Sequence, residues 1–279
     1  MKKPFTHKTK MTIACLIIVV LIISTVSFCL HRETRTIMIK QYSIEIKYLP
    51  PGFEGFTILH LTDLHSKRFG TGQQKLLNLI RKQDFDVIVI TGDLVDRKRP
   101  DTAPAEELLA GLENSDIFYV RGNHEIWAGY DELEKILTAH GVTILHNRSV
   151  QLKMENDFVW LAGVDDPSLG MARLDMALQD VTEAAPVFLL AHSPAIFSKA
   201  TEKNIDLLLV GHTHGGQIRL PFLGALYIPG QGFFPTYDYG LFSSKNTTML
   251  INAGLGESGL PLRFSMKPEI VIVTLSGKQ

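Results

Sequence analysis

Cysteine is nearly missing: of 279 residues only Cys15 and Cys29 are cysteines, and both fall inside one apolar run. Everything beyond residue 30 therefore lacks disulfides and thiolates, so a metal bound there must be held by oxygen and imidazole. Excess charge is missing too. With a net charge of −1, 20% charged and 45% hydrophobic residues, the chain is neither a disordered polyampholyte nor a strongly basic nucleic-acid binder. No internal repeat or low-complexity tract is visible.

What is present begins with a hydrophobic run. Residues 11–30 (MTIACLIIVVLIISTVSFCL) carry no charged side chain, and as a helix rising about 1.5 Å per residue they span roughly 30 Å, the thickness of a bilayer core. Lys2, Lys3, Lys8 and Lys10 precede the run without an acid among them. A basic flank before an apolar run suits a cleaved signal or an uncleaved anchor. The length favours the anchor, because Thr25 and Ser27 form only a weak small-residue pair and Phe28 precedes Cys29 where a lipoprotein signal would place a small residue. Four lysines before the span, against Arg32, Arg35 and Lys40 after it, predict a single-pass cell-membrane protein whose main domain faces out of the cytoplasm. Beyond the run, 24 basic side chains stand against 29 acidic ones, a net of −5.

Residues 31–279 suffice for one large domain. Ile37, Ile39, Ile44, Ile46 and Tyr48 alternate with polar residues up to Pro50, Pro51 and Gly52, which predicts strands and a turn. Apolar runs of strand length recur at 56–61, 87–90, 117–120, 159–164, 187–190 and 207–210. Helical spacing appears between several of them, at 73–82, 104–112, 130–140, 171–178 and 195–202. That alternation predicts an α/β architecture with buried strands. From Gly215 onward the helical signal stops, and short pieces at 217–220, 248–252 and 270–275 predict a second, more antiparallel sheet.

Five of these strands run into polar clusters: Asp63 and His65; Asp93 and Asp96; Asn123, His124 and Glu125; His192; and His212 and His214. Taken singly, these residues suit helix caps, turns or satisfied surface histidines. Together they gather at strand carboxyl ends, the usual ligand edge of an α/β sheet. Carboxylate, amide and imidazole groups suit two divalent ions, with Mn, Fe or Zn fitting best, and a carboxylate between two such ions can bridge them for attack on phosphorus. Asp165 and Asp166, before Pro167, suit a turn as readily as a site. Arg263 suits a substrate phosphate as readily as a surface acid.

The ordered set Asp-x-His, Gly-Asp-x-x-Asp, Gly-Asn-His-Glu, a lone His and Gly-His-x-His resembles the calcineurin-like metallophosphoesterases over about residues 55–275. His-Thr-His-Gly-Gly-Gln with a later Gly-Leu-Pro-Leu-Arg-Phe resembles the membrane-associated subgroup, which includes phosphodiesterases and a UDP-2,3-diacylglucosamine pyrophosphatase. The resemblance implies a four-layer α-β-β-α sandwich of two mixed sheets, here preceded by one N-terminal transmembrane helix. It implies that one metal takes Asp63, His65 and His214, the other Asn123, His192 and His212, and that Asp93 bridges them. It further implies that His124 acts as proton donor or electrostatic stabiliser, with Asp96 holding its imidazole. The expected division is a basic flank (1–10), a transmembrane signal anchor (11–30), connecting strands (31–54) and a metallophosphoesterase domain (55–279).

The expected activity is hydrolysis of a phosphodiester or pyrophosphate bond, in a lipid-linked or nucleotide-sugar substrate such as UDP-2,3-diacylglucosamine. Residues 221–242, rich in apolar and aromatic side chains, suit an acyl-chain patch or a packed loop. The alternatives are a nucleotide or nucleic-acid phosphoesterase, for which a net charge of −5 is unhelpful, and a catalytically silent metal-dependent scaffold. No nucleic-acid partner is expected.

Overall fold

A computed structural model describes residues 7–181 and 185–278; Lys2 and Lys3 of the basic flank lie outside the described residues. The chain opens with helix α1 (His7–Arg35), whose last turn carries Arg32 and Arg35, cations where a helix terminus favours them. None of the most apolar window of α1 is buried, and by length and composition it is a candidate membrane span. There follow β1 (Met38–Ile46), β2 (Thr57–Leu61), α2 (Gln74–Ile80), β3 (Val87–Ile90), α3 (Ala103–Ala110), β4 (Ile117–Tyr119), α4 (Asn123–Ala128), α5 (Asp131–Ala139), β5 (Thr143–Ile144), β6 (Arg148–Met154) and β7 (Asp157–Gly163). The second half runs α6 (Leu174–Ala177), β8 (Val187–Leu190), α7 (Phe197–Glu202), β9 (Leu207–Val210), four two-residue strands β10 (Arg219–Leu220), β11 (Gly224–Ala225), β12 (Tyr227–Ile228) and β13 (Gly232–Phe233), then β14 (Gly240–Ser244), β15 (Thr247–Ile251) and β16 (Glu269–Gly277).

Two six-stranded mixed sheets result, in the orders β1-β16-β2-β3-β4-β5 and β14-β15-β9-β8-β7-β6. Alternation along each strand explains why they stack. In β3, Val87 and Val89 point into a core between the sheets, where they join Phe188 and Leu190 of β8 and Leu207 and Leu209 of β9. Ile88 and Ile90 point the other way, onto Leu76, Leu77 and Ile80 of α2, Leu108 and Leu109 of α3 and Leu133 and Leu137 of α5. Leu189, Leu208 and Val210 likewise pack outward against Ala177 of α6 and Ala200 of α7. A period of two on strands buried on both faces thus builds three cores and four layers, α-β-β-α. Emptying the middle core by Phe188→Ala would cost about 3–5 kcal/mol.

The C-terminal third does not form a separate antiparallel sheet. β16 returns to the first sheet, parallel to β1 and antiparallel to β2, while β15 extends the second sheet parallel to β9. Local patterning marks a strand but not its partner, and these pairings join residues far apart in sequence. The strand expected near residues 37–48 pairs with β16 along its whole length, from Met38 opposite Glu269 to Ile46 opposite Gly277. Residues 221–242 are mainly outward facing. Ala225 and Ile228 are buried, but Phe222, Leu223, Phe233 and Phe234 are exposed on the two small hairpins.

Candidate metal centre

The clusters that follow β2, β3, β4, β8 and β9 meet at the carboxyl edge of the two sheets. Backbone conformation there is unusual: Asp63, His65, Asp93, His212 and His214, five of the seven expected ligands, have positive φ between 49° and 70°. Non-glycine residues occupy that region only where surrounding contacts over-determine it. The contacts are visible. Asp63 Oδ2 accepts from the Thr62 hydroxyl (2.8 Å) and from His212 N–H (3.0 Å), and Asp93 Oδ1 accepts from His124 N–H (2.8 Å). Glycine is required beside them. A Cβ on Gly122 would overlap Asp93 Oδ1, and one on Gly211 would overlap Asp63 Oδ2.

With one carboxylate oxygen of each aspartate so occupied, the other faces imidazoles. His65 Nε2 lies 3.5 Å from Asp63 Oδ1 and 3.0 Å from His214 Nε2, itself 3.3 Å from Asp63 Oδ1. Across Asp93, His192 Nε2 lies 3.1 Å from His212 Nδ1, which lies 3.0 Å from Asn123 Oδ1. Asp93 Oδ2 sits between the two groups, 3.5 Å from His65 Nε2 and 3.2 Å from His192 Nε2. The structure therefore brings all seven expected ligands into two adjoining pockets that share one carboxylate oxygen. His192 is oriented by its other nitrogen, Nδ1, 2.7 Å from the Thr91 carbonyl, the outer contact that a metal-ligating imidazole normally makes.

The residues fit a divalent cation. Asp63 Oδ1 is buried without a hydrogen-bond partner among the described residues, and the Asp63–His65–His214 and Asp63–Asp93–His192 sets each keep their ligand atoms within 4.8 Å of one another. Burial alone would raise the pKa of Asp63, but the neighbouring histidines, His214 foremost, hold it well below the usual carboxylate range, so it is ionised and ready to ligate.

His124 lies beside the first pocket, its ring edge-on to His65 with centroids 4.4 Å apart. Its Nδ1 accepts from Arg97 N–H (3.0 Å), which leaves the ring proton on Nε2, 3.5 Å from the Ser258 hydroxyl. Asp96 Oδ2 stands 3.5 Å from His124 Nδ1 and 3.7 Å from His65 Nδ1, so it faces both rings. Burial pushes His124 down to about 4, and the ring is a neutral N–H donor near pH 7. Arg263 stands behind the first pocket, its Nη2 3.5 Å from His214 Nδ1. It is fully buried, donating to the carbonyls of Ala253, Gly254 and Gly256, with Glu257 at 3.7 Å.

One organising residue was visible in the motif but carried no assigned role. Glu125 is completely buried, and its carboxylate accepts from Gly122 N–H (2.8 Å), Asp93 N–H (2.8 Å) and Val95 N–H (3.2 Å). It ties the loop after β3 to the loop after β4. Burial and then the nearby Asp93 push its pKa up to about 7.

Comparison with known proteins agrees with this geometry. The calcineurin-like phosphoesterase family matches residues 56–216. The Uncharacterized metallophosphoesterase YkuE of Bacillus subtilis (strain 168) is 32% identical over 255 residues, covering 88% of this chain and 87% of that one. An uncharacterized metallophosphoesterase of Aquifex aeolicus (strain VF5) is 32% identical over 260 residues, covering 89% and 95%. A Danio rerio protein described as "Transmembrane protein with metallophosphoesterase domain" is 30% identical over 83% of this chain, which spans 56% of its length. The chain belongs to the calcineurin-like phosphoesterase family and is a metal-dependent phosphoesterase.

Proposed function

We propose that this protein is a membrane-anchored phosphoesterase with a dinuclear centre of Mn, Fe or Zn, hydrolysing a phosphodiester or pyrophosphate bond in a lipid-linked or nucleotide-sugar phosphate. The observation that carries the dinuclear reading is the position of Asp93 Oδ2 between His65 Nε2 and His192 Nε2. In this reading Asp63, His65 and His214 hold one ion, Asn123, His192 and His212 the other, and Asp93 both. Ions held there polarise phosphoryl oxygens and lower the pKa of water.

The protein's own residues supply the rest. His124 carries its ring proton on Nε2, 3.5 Å from the Ser258 hydroxyl, where it can serve a departing oxygen. Asp96 places negative charge beside His124 and His65, while the His124 ring is oriented by Arg97 N–H, which donates to its Nδ1. Glu125 fixes the loop that aims Asp93.

Two adjoining cavities support a substrate delivered from the membrane. One, of 340 Å³, is lined by His65, Asp96, Lys98 and Arg99. The other, of 760 Å³, lies between Ile22, Ile23 and Leu30 of α1 and Phe69 and Leu262 of the domain, with Arg35 and Lys75 at its wall. Lys67, Glu257 and Pro261 line both. An amphiphile with an anionic head suits this pairing of apolar and basic walls, and the lysines before α1 favour a domain outside the cytoplasm.

The test is incubation of metal-reconstituted protein with a membrane lipid extract and with nucleotides, identifying released phosphorylated products by mass spectrometry. Products from lipid-linked phosphates are expected. Turnover of nucleotides alone would replace this substrate class, and no turnover even of an aryl phosphodiester by metal-loaded protein would leave a silent scaffold.

A further inference from the structure

Asp165 and Asp166 follow β7 side by side, yet their environments differ. Asp165 is fully engaged: Arg121 Nε and Nη2 donate to its two oxygens at 2.9 and 2.7 Å, and Asn147 Nδ2 donates at 3.1 Å. Asp166 is 0% exposed. Its Oδ1 accepts from Leu169 N–H (2.9 Å) and from the Ser168 hydroxyl, opening the short turn Pro167–Leu169. Its Oδ2 has no hydrogen-bond partner among the described residues. The carboxylate nevertheless lies within 4.8 Å of ring nitrogens of both His192 and His212.

A turn needs only one oxygen of an aspartate, and asparagine or serine would serve it as well. The second oxygen is a buried carboxylate acceptor with no hydrogen-bond donor among the described residues, which is costly unless a cation compensates it. Its neighbours are two of the three imidazole and amide groups of the second pocket, and it approaches them from β7, whereas Asp93 approaches from β3. We propose that Asp166 is an eighth residue of the metal centre, a carboxylate ligand of the second pocket. This rests on the dinuclear reading above. With Asp166, the second pocket offers oxygen from Asp93, Asn123 and Asp166 beside two imidazoles, a harder donor set that raises affinity for Mn²⁺ relative to Zn²⁺.

The experiment compares wild type, Asp166→Asn and Ser168→Ala by calorimetric titration of metal-depleted protein with Mn²⁺ and with Zn²⁺, by elemental analysis, and by thermal unfolding with and without metal. The Asp166→Asn substitution keeps the turn acceptor and removes the charge. The expected result is two Mn²⁺ per wild-type chain, with the second bound at least tenfold more weakly by Asp166→Asn and less change for Zn²⁺. The rise in Tm produced by Mn²⁺ should shrink in Asp166→Asn. Ser168→Ala, which keeps the carboxylate and removes one outer contact to it, should weaken Mn²⁺ binding less than Asp166→Asn does. Unaltered Mn²⁺ binding by Asp166→Asn would reduce Asp166 to a turn residue and overturn the proposal, as would an equal loss in Ser168→Ala. Wild type that takes only one ion would overturn the dinuclear reading itself, a separate failure visible before any variant is compared.

Discussion

At the rim of the sheets Asp63, Asp166 and His192 are 0% exposed, whereas in α1 Leu16, Leu21 and Ile23 are 60%, 60% and 62% exposed. Both regions invert the ordinary distribution, in which ionisable groups face water and large aliphatic groups avoid it. The inversions have different physical compensation. The rim holds strained backbone and buried polar groups so that nitrogen and oxygen atoms converge on two pockets, a cost that bound cations can offset. The helix buries none of its apolar window, and by length and composition it is a candidate membrane span. Residues that break the burial rule thus mark a candidate metal centre in one region and a candidate membrane span in the other.

The contrast predicts that single substitutions at the rim are severe. The largest effect is expected for Asp93→Asn, because one oxygen faces both pockets: activity should fall to background and metal content should drop for both ions. Asn123→Ala should be milder, since water can partly replace one neutral ligand. Asp93→Asn protein with two metals and near-normal turnover would sink the shared-carboxylate assignment. Next is His124→Ala, which should keep both metals yet lose about 10²- to 10⁴-fold in turnover. The loss should be greatest with alkoxide leaving groups and least with nitrophenolate, which departs unprotonated. An equal loss across a leaving-group series would make His124 an electrostatic contact only. A smaller effect is expected for Glu125→Gln, which touches no ion but holds the Asp93 loop through three backbone N–H groups; a loss of about 10- to 100-fold in metal affinity is the scale for such outer contacts. Unchanged affinity in a metal titration would confine Glu125 to loop stability.

The sequence displays the rim well because each element of it is local. A buried strand followed by Asp-x-His or Gly-His-x-His is legible in a dozen residues, and Val87–Ile90 and Leu207–Val210 form as read. Pairing is not local, so the return of Glu269–Gly277 to the first sheet left no mark in its own composition. The six-residue α4 was also hidden, since its first turn is the polar Asn-His-Glu of a motif read as ligands rather than as a helix. Asp166 stays open between turn and site on sequence alone. The run 159–164 is a further buried strand that ends in acids, the same signature as the other five, but the following Pro167 made a turn sufficient explanation. Only the unpartnered Oδ2 separates the two readings.

The smallest effect is expected where the apolar residues stand exposed. Deleting residues 1–30 should give a soluble chain that retains its metals and its turnover of a soluble aryl phosphodiester, because nothing in the apolar window of α1 is buried. The boundary matters. The last turn of α1 does touch the domain: the Thr34 carbonyl accepts from Lys67 Nζ (2.7 Å), its hydroxyl accepts from Arg263 N–H (3.3 Å), and Glu33 accepts from Ser265 N–H (2.8 Å). These contacts survive a cut after residue 30 and are lost after residue 36. The longer deletion should therefore lower Tm relative to the shorter one, by loosening the segment that carries Arg263 and its carbonyl partners at 253–256, directly behind Asp63. Parallel thermal unfolding and metal analysis of the two deletions decide the point. Loss of metal already in the shorter deletion would mean that α1 is part of the folded domain, and the distinction between a candidate span and a candidate metal rim would fail.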